Sequence, residues 1–187
     1  MQAEKLIDSL IEQTQKALGQ VEKLKSIDIQ TLTWKPDESS WNILECLEHL
    51  NLYGKFYLPE IETSIQKSNS KEEAEFKSGF LGSFFAKSML PKDKLNKMKT
   101  FKDKNPLDEK LDKSVIDVFI NQQIILLQLL KQSKSVSLSK VKISISISKL
   151  IKLKLGDTFQ FYINHILRHL KQIERIQVEE EIYRKKD

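Results

Sequence analysis

Cysteine is almost missing from this chain. The one thiol, Cys46, excludes an intramolecular disulfide framework and fits a reducing compartment. Glycine is scarce too. The five are Gly19, Gly54, Gly79, Gly82 and Gly156, and none falls into G-x-G-x-x-G or a P-loop. The usual dinucleotide and triphosphate signatures are therefore absent. No uninterrupted apolar run approaches the roughly 18 residues of a membrane span. The first residues carry Glu4, Asp8 and Glu12 where a secretory signal would have a basic stretch followed by an apolar one. These absences point to a cytoplasmic chain with no membrane partner.

What is present suits a globular fold. The 187 residues are enough for one domain spanning 1–187 with a real core, and a hydrophobic content of 40% excludes a disordered chain. Basic residues outnumber acidic ones by 31 to 26. Most are lysines interleaved with Glu and Asp, the composition of a solvated surface rather than an Arg- and aromatic-rich nucleic-acid stripe. Nucleic acid is not expected as a partner. The lysine-rich segment Lys92–Lys104 is the place an anionic partner would use.

Apolar periodicity divides the chain into four long helical segments. The first covers 3–25, with Gly19 inside it. Residues 26–38 leave the helix, since Pro36 biases Lys35 towards extended angles. Ser39 or Ser40 is then expected to cap a second helix from about Trp41 to Lys67, kinked or interrupted at Pro59. Residues 68–107 are less regular. The apolar positions from Phe76 to Leu90 suggest a short amphipathic helix ending before Pro91, and Lys92–Asn105 reads as an exposed crossover. The third helix covers 108–133, with Asp108 as its cap and Asn121, Gln122, Gln123 and Gln128 facing solvent. Residues 135–148 alternate apolar and polar, the period of a strand. The expectation there is an extended connection across 135–155, with at most one short β pair. The fourth helix starts at Asp157 or Thr158 and runs past Ile176, and the charged tail from Glu179 is expected to fray.

The chain has three histidines. Two stand four apart in the last helix, His165 and His169, in the pattern H-x-x-x-H-x-x-Q that ends at Gln172. At about 100° per residue, side chains four apart share a face. Thr158, Phe161, Tyr162 and Ile176 lie within about 60° of His165, so that face points inward. His49 sits in the middle of the second helix, on a face with Glu45 and Tyr53. Buried imidazoles need partners, and one cation shared by His49, His165 and His169 would satisfy all three. Three neutral imidazoles leave a coordination position open, the catalytic rather than the structural arrangement for zinc, and nickel or iron accepts the same donors. An open position can lower the pKa of water or hold a thiol as its thiolate. Gln172 either bonds a ligand imidazole or group at the metal, or bonds another helix. Glu45 either orients His49 or acts as a general base, or is a partly exposed helix residue. Cys46 reads as a core thiol, and Tyr53, Tyr57 and Tyr162 as core aromatics.

Two motifs carry a family resemblance. Leu32-Thr-Trp34-Lys-Pro36 followed by Trp41-Asn-Ile-Leu-Glu45-Cys-Leu-Glu-His49-Leu50 resembles the N-terminal motif of DinB/YfiT-like proteins. His165-Ile-Leu-Arg-His169-Leu-Lys-Gln172-Ile173 resembles their C-terminal motif. The resemblance implies an all-α, up-down-down-up four-helix bundle with long crossovers and, often, a homodimer. It implies a divalent metal held by His49, His165 and His169, and includes transferases that act on low-molecular-weight thiols. The stretch 135–148 is no part of it. Two functions follow as expectations. One is a metal-dependent enzyme, a thiol S-transferase or hydrolase acting on a small molecule, with Glu45 or Gln172 assisting. The other is a non-catalytic stress-response protein that uses the same pocket to hold a metal or small ligand.

Overall fold

A computed structural model describes residues 1–91 and 100–186. Four long helices carry most of the core: α1 (Ala3–Glu22), α3 (Ile43–Gln66), α5 (Ser114–Gln132) and α6 (Leu155–Arg184). Two short helices, α2 (Ile29–Thr33) and α4 (Phe80–Ser88), and an antiparallel hairpin of β1 (Lys142–Ile145) and β2 (Ser148–Lys154) fill the connections. The fold is therefore mostly helical, with one small two-stranded sheet. Helices α1 and α3 each pack against both α5 and α6. The apolar stripe of α1, including Ile7, Leu10, Ala17 and Val21, closes one side of the core, and Leu44, Leu47, Leu50 and Ile61 of α3 close the other.

Several helix ends depart from the sequence reading. Ser39 and Ser40 do not cap α3, because both hydroxyls donate to Asp37, each at 2.6 Å. Asn42 is the cap. Its Oδ1 accepts from Glu45 N at 2.8 Å, and Glu45 Oε2 accepts from Asn42 N at 2.8 Å, a reciprocal capping box. Pro59 lies inside α3, which continues unbroken to Gln66.

Asp108 does not cap α5. It adopts a left-handed backbone (φ 62°), its N–H donates to Glu45 Oε1 at 2.7 Å, and the helix begins only at Ser114. Asn121 and Gln128 are exposed as expected, but Gln122 and Gln123 are buried. Gln122 Nε2 reaches across to the Asn51 carbonyl of α3 at 3.1 Å. Residues Ser114–Ser135 are long and apolar enough to cross a membrane by length and mean hydropathy. Here that stretch is half buried and packs on α1 and α3, as a core helix does.

The start of α6 explains itself once the hairpin is present. Leu155 N donates to Val141 O at 3.0 Å and Gly156 N to Leu138 O at 3.2 Å. Chain carbonyls leading into the hairpin thus satisfy the first N–H groups, and neither Asp157 nor Thr158 is needed as a cap. A Cβ at Gly156 would stand 2.7 Å from the Phe76 ring, so only glycine lets that ring close over the helix start. Asp157, fully buried, instead serves α4: it accepts from Ser78 Oγ and, at 2.9 Å, from the N–H of Gly79, the α4 N-cap. Nor does the tail fray at Glu179. Helix α6 runs to Arg184, where Arg184 binds buried Glu180 and donates to Thr31 Oγ1 of α2 at 2.6 Å.

Candidate metal centre

The site forms where the second turn of α3 meets the middle of α6. The capping box at Asn42 and Glu45 sets where α3 begins, and so which face carries residue 49. His49 is 3% exposed, His165 4% and His169 8%. The ring nitrogens offered by the three all lie within 4.8 Å of one another. His165 Nε2 is 3.1 Å from His49 Nε2 and 3.0 Å from His169 Nε2.

Hydrogen bonds at the far side of two rings fix their tautomers. His49 Nδ1 lies 2.6 Å from the Lys104 carbonyl oxygen, and His169 Nδ1 lies 2.9 Å from Gln172 Oε1. Both oxygens only accept, so each Nδ1 carries the hydrogen and each Nε2 turns a lone pair inward. His165 Nδ1 is buried without a partner among the described residues. A proton on His165 Nε2 can bridge to one of the two lone pairs but not to both. A cation accepts all three at once. The donor set therefore fits a divalent ion of the kind that takes imidazole, such as zinc, nickel or iron.

Electrostatics favour the same state. Burial pushes His49 down to about 4, against the opposing effect of its bond to the Lys104 carbonyl. His169 falls to about 3, through burial first and then the neighbouring His49. His165 lies well below the ordinary histidine value, through burial and then the other two rings. All three are neutral at neutral pH, and neutral imidazole is the metal-binding form.

Aromatic rings wall the cluster. Trp41 packs on His49 (centroids 4.7 Å apart) and His169 (5.8 Å), Tyr53 on His49 (5.0 Å) and His165 (4.7 Å), and Phe161 stacks on His165 (6.1 Å). Burial raises the Tyr53 hydroxyl to about 12, so it stays protonated. A half-open cleft of about 240 Å³ lies beside this wall, lined by Phe101, Asp103, Lys104, Ser146 and Ile147. It shares Lys104 with the support of His49, and Tyr57 Oη accepts from Ser146 N at 3.3 Å.

The residues singled out in the sequence separate here. The three histidines come together, and Gln172 bonds a histidine ring. Glu45 is 1% exposed and fully engaged elsewhere: besides its bonds to Asn42 N and Asp108 N, it pairs with Lys35 Nζ at 2.9 Å. Among the described residues no hydrogen bond joins it to His49. Cys46 is a core thiol whose pKa burial drives upward. Tyr57 and Tyr162 are buried in the core. Sequence reasoning missed the Lys104 carbonyl and Trp41. A backbone carbonyl has no side-chain signature, and Trp41 reads only as the start of the second helix until its ring is seen over two imidazoles. Of the segment Lys92–Lys104, residues 92–99 lie outside the described residues.

The family model of the DinB superfamily matches residues 10–173, which takes in His49, His165, His169 and Gln172. No curated protein and no solved structure matches the chain.

Proposed function

The chain belongs to the DinB superfamily, and on that premise we propose that it is a divalent-metal-dependent enzyme acting on a small molecule, with a low-molecular-weight thiol as the favoured substrate. The observation that carries the reading is the convergence of two tautomer-fixed Nε2 lone pairs on His165 Nε2 within a buried, aromatic-walled site. The same reading takes the four long helices as an up-down-down-up bundle within one domain. The packing of α1 and α3 against both α5 and α6 supports it.

His49, His165 and His169 would hold a divalent ion, which would supply Lewis acidity to lower the pKa of a bound thiol or water. The chain's own residues do the rest. The Lys104 carbonyl and Gln172 hold two imidazoles in the ligating tautomer. Trp41, Tyr53 and Phe161 exclude bulk water and keep the dielectric low. The cleft at Phe101, Lys104 and Ser146 adjoins the segment whose carbonyl holds His49. In transfer, the sulfur forms a bond to carbon, the leaving group departs with its electron pair, and the thiol proton passes to solvent. Glu45 is assigned to holding the 104–108 segment over His49 rather than to proton transfer, because its carboxylate is already engaged.

The second reading is a binding protein without turnover. It is favoured by one observation: no carboxylate is hydrogen-bonded to any of the three imidazoles among the described residues. Elemental analysis of protein never exposed to chelator should find one divalent ion per chain, and protein without metal sinks the metal-dependent enzyme. A screen of thiols against electrophiles, run on wild type and His169→Ala, separates them. Turnover lost in the variant supports the enzyme. A metal-loaded wild type without turnover across the screen supports the binding protein.

A further inference from the structure

Helix α4 and the β1–β2 hairpin have no role in the metal centre's donor set, yet they carry the most exposed apolar side chains of the described chain. Phe80 and Leu150 are each 95% exposed, Phe84 is 62% and Leu81 42%. The two elements lie side by side along the first turns of α6. At one end, Lys154 Nζ of β2 donates to the Lys77 carbonyl just before α4, at 2.6 Å. At the other, Phe85 of α4 packs on Phe161 of α6 (6.1 Å), Phe161 packs on Tyr57 (5.8 Å), and Tyr57 holds Ser146 at the hairpin turn. Direct contacts join α4 to β2. The outward side chains expose on the order of 500 Å² of apolar surface, in the range of the largest, often functional, patch on a monomer.

Along the two elements themselves the charge has one sign. From Phe76 to Pro91 and from Val136 to Gly156 the chain holds seven lysines (77, 87, 140, 142, 149, 152, 154) and no Asp or Glu. Lys77, Lys87, Lys140, Lys142 and Lys152 are exposed. The nearby Glu73 is turned to Ser137 and Ser139, accepting at 2.9 and 2.8 Å. Glu75, just before Phe76, is exposed, Asp103 at the hairpin turn is paired with Lys104 at 2.8 Å, and Asp157 is buried beneath α4.

We infer that this face, Phe80, Leu81, Phe84 and Leu150 set among lysines, docks on an anionic lipid surface. Apolar tips enter the headgroup boundary while lysine ammonium groups meet lipid phosphates. The lysines decide against the two other occupants. A second copy across a two-fold axis brings like charge to like charge, and the patch falls short of the roughly 800 Å² per partner of a standard interface. A nucleic acid would use the lysines but leave Leu81 and Leu150 with no base to stack on. Docking of this kind requires no spanning helix. The alternation of the Ser/Ile stretch finds a use here: it makes a hairpin that buries Ile143, Ile145 and Leu153 while turning Leu150 outward.

The test is flotation of the full chain with vesicles of phosphatidylcholine alone and of phosphatidylcholine with phosphatidylglycerol. Expected are binding to the anionic vesicles only, weakening with added salt, and a loss of roughly tenfold or more in Phe80→Ser/Phe84→Ser and in Leu150→Ser. Lys142→Glu/Lys152→Glu should lose binding likewise. Circular dichroism and metal content serve as folding controls, and the exposed Leu150→Ser gives an arm that does not touch α4. Three outcomes overturn the inference. One is no binding to anionic vesicles. Another is binding indifferent to the apolar substitutions. The third is a wild-type dimer in sedimentation that Phe84→Ser turns to monomer, which would give the face to a second copy.

Discussion

At the scale of single residues, the site divides its side chains by what they touch. His169→Ala removes one of three ligands and should abolish stoichiometric metal in elemental analysis, with circular dichroism unchanged. Gln172→Ala acts one bond further out. It frees the His169 tautomer, and metal affinity measured by competition with a chromogenic chelator should fall about 10- to 100-fold. Glu45 gives the opposite signature. It accepts from Asn42 N and Asp108 N and pairs with Lys35, so Glu45→Ala leaves buried donors unmet and costs about 3 kcal/mol in urea unfolding. A Glu45→Ala protein of full stability with no turnover would instead make Glu45 a base. The histidines were legible as a pattern because helical spacing alone places His165 above His169. The role of Glu45 was not, because its partners at 35 and 108 come from segments without periodicity.

At the scale of elements, the buried polar contacts between helices do what the apolar stripe cannot: they set depth and register. Gly54 of α3 is where Gln122 of α5 crosses. A Cβ there would stand 1.9 Å from Gln122 Oε1 and 2.9 Å from Tyr162 Oη. Gly54→Ala gains about 1 kcal/mol of helix propensity but must displace a packed amide, which costs about 1–3 kcal/mol. The net effect should be destabilising, and Gly54→Ala/Gln122→Ala should recover part of the loss in a double-mutant cycle of chemical denaturation. A simple sum of the two single changes would show that the residues do not meet. Sequence reading put Gln122 and Gln123 in solvent because amides seldom enter a core. It started α6 at Asp157 or Thr158, whereas the helix begins at Leu155, the Asp157 carboxylate serves the start of α4, and the chain leading into the hairpin takes over the start of α6.

At the scale of the whole molecule, the three histidines bring together residues 116 apart in sequence, so a metal bound there would couple binding to folding. A ligand present at a hundredfold excess over its Kd stabilises the folded state by about 2.7 kcal/mol. For a chain of this length that amounts to several degrees of Tm, roughly 2–4 °C per kcal/mol. Stripping the ion with a chelator should lower Tm by that amount, and readdition should restore it. A Tm indifferent to chelator, in protein shown to carry metal, would place the ion elsewhere.

The sequence by itself determined the helical class, the positions of the four long helices with ends misplaced by up to about six residues, and the facing of the histidine pair. Each rests on local physics: a 3.6-residue period, a proline or an alternation that ends it, and side chains four apart on one face. Only the tertiary structure decided what those faces meet. It set His49 against His165, put the Lys104 carbonyl behind His49, turned Glu45 into a clamp on the 104–108 segment and buried Gln122. It also folded the Ser/Ile alternation into a hairpin beside α4. Each of these is a contact between distant segments, and a pattern read along one segment carries no information about the chemistry that the other brings to it.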